Sequence, residues 1–177
     1  APQNVYVPRE GIATEQGHKS FDEVGEGLAT AVDALVSDDA KAVELLGAVV
    51  NPGVVERLDA APGSGRVVLA SRTIEHPAWP DATVRTPTII ALESSDTNVY
   101  TSECFGPVSY LIAADSTDAS LDLFRDTVRA HGGMTAAVYS TDEQVIDAAE
   151  RAAIEAGGAL SVHLTRGVLV KQSAAFS

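Results

Sequence analysis

The chain has 177 residues, 45% of them hydrophobic, and 12 basic against 25 acidic side chains leave a formal charge of −13. That is enough apolar material for one domain-sized core, and the balance is too acidic for non-specific nucleic-acid binding, which needs a basic footprint. No apolar run reaches the roughly 18 residues of a membrane helix, no leader-like segment opens the chain, and one cysteine cannot form an internal disulfide, so the composition is read as that of a cytoplasmic protein.

Along the chain, Asn4–Pro8 (NVYVP) is β-branched and aromatic, a short strand closed by Pro8 and Gly11. Ser20 and Glu23 have the spacing of a capping box, and Phe21, Val24, Leu28, Val32 and Leu35 follow at steps of three and four. The spacing predicts a helix to Val36, weakened by Gly25 and Gly27. A second helix is expected over Ala40–Val50, broken by Asn51-Pro52-Gly53, and a third over Val54–Ala60. Pro62 to Gly65 reads as a turn into a buried strand, Arg66–Ala70. The loop Glu75–Asp81 carries Trp79 between prolines, expected as a surface plug, with anchorage of a partner chain as the alternative.

Val84–Leu92 is a strand interrupted by Pro87, and Pro107–Asp115 is another. Thr117–Ala130 places Leu121, Phe124 and Val128 on one helical face and stops at Gly132-Gly133. Met134–Tyr139 reads as a strand. Thr141 and Gln144 form a second capping-box spacing, for a helix ended by Gly157-Gly158 after Ala156. A strand over Ala159–Leu164 follows, then a tail with strand-like VLV at 168–170.

The second half therefore alternates strand and helix, and its strands are near-continuous apolar runs. Such runs are buried on both faces, as in a parallel sheet covered by helices. The expectation is one α/β domain over 1–177: a three-layer αβα sandwich with a mostly parallel sheet. No dinucleotide or phosphate-loop glycine motif and no G-x-S-x-G elbow is present. The four histidines, His18, His76, His131 and His163, are far apart, so no metal site is expected.

One stretch concentrates chemistry: Glu103, Cys104, Phe105, Gly106 and Pro107, in a loop that enters a strand. Strand-end loops of α/β proteins are common binding positions. A carboxylate can accept two hydrogen bonds from a vicinal diol, an aromatic ring can pack on a flat heterocycle, and glycine permits close backbone approach. The same residues would also serve as a plain strand-entry turn with a solvated acid and a core phenylalanine. Cys104 has no base near it in sequence and reads as a half-buried apolar thiol.

E-x-F-G-P-V at 103–108 resembles the cofactor-contact motif of the aldehyde dehydrogenase superfamily. VVNPGVVERL (49–58), TPTII (86–90), TAAVYSTD (135–142) and GGALSVH (157–163) resemble further segments of that superfamily in the same order. PQNVYVPREGI (2–12), HKSFDEV (18–24) and QSAAFS (172–177) are similar to its phenylacetic acid degradation (PaaN) branch. The resemblance implies the fold of that superfamily's catalytic domain, an NAD or NADP cofactor, an aldehyde substrate and a homodimer. It implies that Glu103 holds the nicotinamide ribose, that Phe105 packs near the nicotinamide, and that Phe176 lines the substrate tunnel. His163 stands where the superfamily usually has asparagine, a departure from its pattern.

The resemblance also implies what lies outside these residues. The superfamily's nucleophilic cysteine would stand just before Ala1, and its glutamate base and Rossmann half further upstream. The expectation is a C-terminal catalytic-domain portion without dehydrogenase activity of its own. The competing expectation is a non-catalytic α/β interaction or oligomerisation module.

Overall fold

Short apolar runs separated by turn residues form the strands of this computed structural model, which describes residues 2–163. Strand β1 (Asn4–Pro8) is followed by an antiparallel hairpin of β2 (Ile12–Thr14) and β3 (Gly17–Lys19). Helices α1 (Phe21–Leu35), α2 (Asp39–Leu46) and α3 (Pro52–Ala60), with a 3-10 turn over Ala61–Gly63, lead to β4 (Arg66–Leu69). A two-stranded ribbon of β5 (Thr73–Ile74) and β6 (Val84–Arg85) precedes β7 (Thr88–Glu93), α4 (Thr97–Tyr100) and β8 (Val108–Ala114). Then come α5 (Thr117–His131), β9 (Thr135–Val138), α6 (Glu143–Ala156) and β10 (Ala159–Val162).

The chain divides into two compact units, one ending at Ser116 and the other starting at Thr117. In the first, the sheet order is β1-β8-β7-β4. β1, β8 and β7 run parallel and β4 is antiparallel on the β7 edge. The register sets Asn4 beside Tyr110 and Ile90 beside Tyr110 from the other side. Because side chains alternate across a strand, β7 and β8 feed two cores. On one face Ile90, Leu92, Val108, Tyr110 and Ile112 pack with Val54, Leu58 and Tyr100 of the helices. On the other, Val7, Ile89 and Leu111 meet Phe21, Val24 and Val32 of α1. Helices thus cover both faces of a mostly parallel sheet, the αβα layering expected from the apolar runs. A smaller cluster of Val36, Ala42, Val43, Ile74 and Val84 joins α2 to the ribbon.

Gly25, which the sequence marks as a weak point of α1, has a packing reason. A β-carbon there would lie 3.0 Å from a Leu111 methyl and 3.4 Å from Val68, so its absence lets α1 approach the sheet. The predicted capping box is formed: the Glu23 amide donates to Ser20 Oγ (3.2 Å) and the Ser20 amide to Glu23 Oε2 (2.7 Å). That reciprocal pair holds the Glu23 carboxyl below its usual range, the backbone hydrogen bond from Ser20 being the largest cause.

Among the described residues, the second unit joins β9 and β10 in a two-stranded parallel sheet, with Ala159 beside Thr135 and Val162 beside Val138. Helix α6 buries Ile146, Ala149, Ala152 and Ala153. Arg125 of α5 pairs with Asp122 (2.6 Å) and Asp126 (2.8 Å) and lies 4.0 Å from Glu155 of α6.

Several sequence expectations change in detail. The second helix ends at Leu46 rather than Val50, because Gly47 turns to φ +67°. Asn51 and Pro52 do not merely break that helix; Asn51 Oδ1 accepts from the Gly53 amide and Pro52 opens α3. The cap of α6 is Asp142, whose carboxylate accepts from the Gln144 amide at 2.8 Å, so Thr141 is not the cap. Pro87 splits the expected strand into β6 and β7. Trp79 is 67% exposed and its ring meets that of His76 in a T-shaped contact at 6.5 Å, so it is not a surface plug. The hairpin β2–β3 and helix α4 were not anticipated. The VLV segment at 168–170 lies outside the described residues.

Candidate functional site

Proline and glycine shape the loop between α4 and β8. Thr97–Tyr100 makes one helical turn, locked by the Tyr100 side chain: it is buried, its hydroxyl donates to the Ser94 carbonyl (2.8 Å), and its ring meets Tyr6 edge-on at 6.2 Å. The chain then passes Thr101 to Gly106 and enters β8 after Pro107. Gly106 sits at φ +149°, a conformation that side chains rarely adopt, and a β-carbon there would lie 3.1 Å from Val54. The motif glycine is therefore required by backbone shape as well as by space.

Within this loop three consecutive side chains part company. Glu103 is exposed, Cys104 is half-buried against the core cluster, and Phe105 is 73% exposed. The sequence allowed Phe105 as a core residue; the structure puts it outside, with Arg57 Nε donating to its carbonyl at 2.8 Å. A large ring held outward costs hydrophobic free energy of about 1.5–3 kcal/mol relative to burial. An exposed ring and an exposed carboxylate two positions apart in one loop are groups that can pack on a flat heterocycle and accept hydrogen bonds from a diol.

What fixes that backbone is Gln3, just ahead of β1. Its Nε2 donates to the carbonyls of Ser102 (2.9 Å) and Tyr100 (3.2 Å), and its Oε1 accepts from the Cys104 amide (2.8 Å). Glu103 is thus bracketed by two bonds to one side chain. Asn4 Nδ2 adds a bond to the Tyr100 carbonyl (2.9 Å), and the Gln3 carbonyl accepts from the Tyr110 amide (2.6 Å). These partners stand 96 to 107 positions apart, so only the parallel pairing of β1 with β8 brings them together.

Cys104 faces Tyr110. Burial pushes the Tyr110 hydroxyl up to about 12, with its hydrogen bond to the Cys104 thiol as the next cause. A phenol held that high stays protonated at neutral pH. Cys104 is half-buried against the core cluster, the position its sequence context indicated.

The loop lies at the amino ends of the parallel strands. At their carboxyl ends, where α/β proteins more often bind ligands, there is a cleft of about 510 Å³ lined by Arg9, Asp22, Arg66 and Glu93. Its charges are mutually engaged: Arg9 pairs with Glu93 (2.5 Å) and lies 3.7 Å from Asp115, and Arg66 pairs with Asp22. The predicted site residues Glu103 and Phe105 are not part of it.

His163 closes the described chain at φ +50°, the left-handed region in which Asn and His are enriched among non-glycine residues. Its amide donates to the Val138 carbonyl (2.9 Å), and its Nε2 lies 2.5 Å from the Ser140 carbonyl. Asparagine, the residue of the resembling pattern, tolerates the same backbone. Phe176, the third predicted site residue, lies outside the described residues. Among the described residues no group of three His, Cys, Asp or Glu side chains is placed to hold a metal ion, and no helix is long and apolar enough to cross a membrane.

Comparison with known proteins bears on this geometry. The model of the aldehyde dehydrogenase family matches residues 17–167. A solved structure of an NAD-dependent aldehyde dehydrogenase from Burkholderia multivorans is 55% identical, with a TM-score of 0.95 over 100% of this chain. This chain covers 32% of that protein. An aldehyde dehydrogenase-like protein of Schizosaccharomyces pombe is 25% identical over 87 residues, 49% of this chain and 16% of the relative. The chain thus spans a third or less of the length of these relatives.

Proposed function

This chain belongs to the aldehyde dehydrogenase family, and from that premise we propose that it is the C-terminal portion of the catalytic domain of a longer NAD(P)-dependent enzyme. That enzyme oxidises an aldehyde to an acid through a thioester on a cysteine outside these 177 residues, and works in the cytoplasm as a homodimer. The phenylacetic acid degradation branch is its setting, on the strength of the segments at 2–12, 18–24 and 172–177.

The observation that carries the reading is the pair of outward side chains Glu103 and Phe105 on a braced loop. Glu103 accepts hydrogen bonds from the nicotinamide ribose, and Phe105 offers its exposed ring to the flat end of the cofactor. The nicotinamide, when bound, supplies the hydride acceptor. The work of this chain is positional: it holds the carboxylate and ring at a fixed place, so that the reacting carbon and the acceptor meet in one orientation. Phe176 lines the aldehyde tunnel. Because the nucleophile lies elsewhere, these 177 residues alone reduce no cofactor.

The test is Glu103→Gln in the full-length enzyme, with titration of NAD and NADP and single-turnover hydride transfer. Weaker cofactor binding and slower transfer are expected. Unchanged values with both cofactors would remove the role of Glu103. A steady-state rate from the isolated chain would remove the claim that the nucleophile lies outside it.

A further inference from the structure

We infer that Gln3 is the positioning residue of the cofactor contact: its side-chain amide sets where Glu103 and Phe105 stand. The inference rests on the reading of Glu103 given above. Gln3 touches neither group directly. It acts on the backbone that carries them, through the Ser102 carbonyl before Glu103 and the Cys104 amide after it.

Three features make this more than an ordinary loop bond. The amide uses both its ends, Nε2 donating and Oε1 accepting, so the bracket fixes the peptide planes on both sides of Glu103. Gln3 is itself anchored, because its carbonyl accepts from the Tyr110 amide at 2.6 Å and the next residues form β1 of the central sheet. The loop has a second fixed end at Gly106, whose φ of +149° admits few alternatives. Between these fixtures, Glu103 has a backbone with little freedom, and its orientation need not be selected when cofactor binds. Pre-ordering of this kind lowers the cost of binding. A shorter or apolar side chain at position 3 would leave the Cys104 amide and Ser102 carbonyl to water and let the loop sample other orientations.

The experiment uses the full-length enzyme with Gln3→Ala, the near-isosteric Gln3→Met, Glu103→Gln and the Gln3→Ala/Glu103→Gln pair. Calorimetric titration with NAD and NADP reads affinity, and amide hydrogen exchange reads the loop without any turnover. Removal of these bonds is expected to weaken cofactor binding about tenfold, and to speed exchange at the Cys104 amide. The pair should lose clearly less than the sum of the two single losses, because a residue that acts largely through Glu103 adds less once Glu103 is changed. Full affinity in a folded Gln3→Met enzyme, or additive losses in the pair, would overturn the inference. So would a Cys104 amide that exchanges at the open-chain rate in the wild-type enzyme, a check that needs no variant to fold. Weak binding in Glu103→Gln with normal binding in both Gln3 variants would remove this inference alone, whereas normal binding in Glu103→Gln would remove the reading of Glu103 and this inference together.

Discussion

β7 and β9 are both short apolar strands, each hydrogen-bonded to a parallel neighbour, yet they end in different surroundings. Thr88 to Leu92 of β7 are all buried, as are Tyr110 to Ala114 of β8 beside it. In β9 exposed and half-buried residues alternate, and the flanking Met134 and Tyr139 are exposed. The local strand–helix pattern is the same; what differs is that β7 and β8 have strands on both edges and helices on both faces within their own unit. A two-stranded sheet has no interior strand, and its stability depends on the helices that pack on it. Periodicity therefore reports the element, and the number of layers around it decides its energetic weight.

The most severe way to break this comparison is truncation of one residue from each region. Ile112→Ala, at a fully buried position of β8, is expected to cost about 3–4 kcal/mol, whereas Leu160→Ala in half-buried β10 should cost about 1–2 kcal/mol. Segment-resolved hydrogen exchange measures the two locally, and equal costs would dissolve the distinction.

Next in size is Gly106→Ala, which forces a side chain into φ +149° with Val54 3.1 Å away. The expected cost is about 1–3 kcal/mol, read as a lowered melting temperature together with faster exchange in the loop before β8. A neutral substitution would mean that this loop lacks the fixed end assigned to it.

Helix caps give a smaller and more even test, because capping is local in both units. Ser20→Ala in α1 and Asp142→Ala in α6 should each cost about 1 kcal/mol, and Thr141→Ala should stay within about 0.5 kcal/mol. Denaturant unfolding of the three variants would show whether Asp142 or Thr141 starts α6.

A test that needs no substitution at first is alkaline pH. Tyr110 keeps its proton to about 12 in the folded protein, while an unfolded phenol loses it near pH ~10. The folded state then binds more protons than the unfolded one in that window, so stability is whole below about pH 10 and declines as pH rises toward 12. Tyr110→Phe should flatten that decline in urea midpoints measured across the range.

Much of this molecule was readable in one dimension. β1, the capping box of α1, the glycine stop of α6 and the apolar strands β7 and β8 stand close to where they are expected, because each carries a local mark in the sequence: an apolar run, a cap pair or a glycine stop. Glu103 and Phe105 were singled out by residue type and by likeness to a known motif. Gln3 gave no signal, since nothing in its own neighbourhood distinguishes it from any polar residue ahead of a strand.

By itself, then, the amino-acid order determined the kinds of element, their sequence and the loop in which the candidate chemistry lies, all of them consequences of local periodicity, turn residues and caps. Only the tertiary structure decided that Phe105 faces outward while Cys104 faces the core, that Gly25 is a point of close packing, and that Gln3 grips the loop around Glu103. Those facts depend on the parallel pairing of β1 with β8 and on the layers around them, and such contacts join residues about a hundred positions apart that no local pattern links.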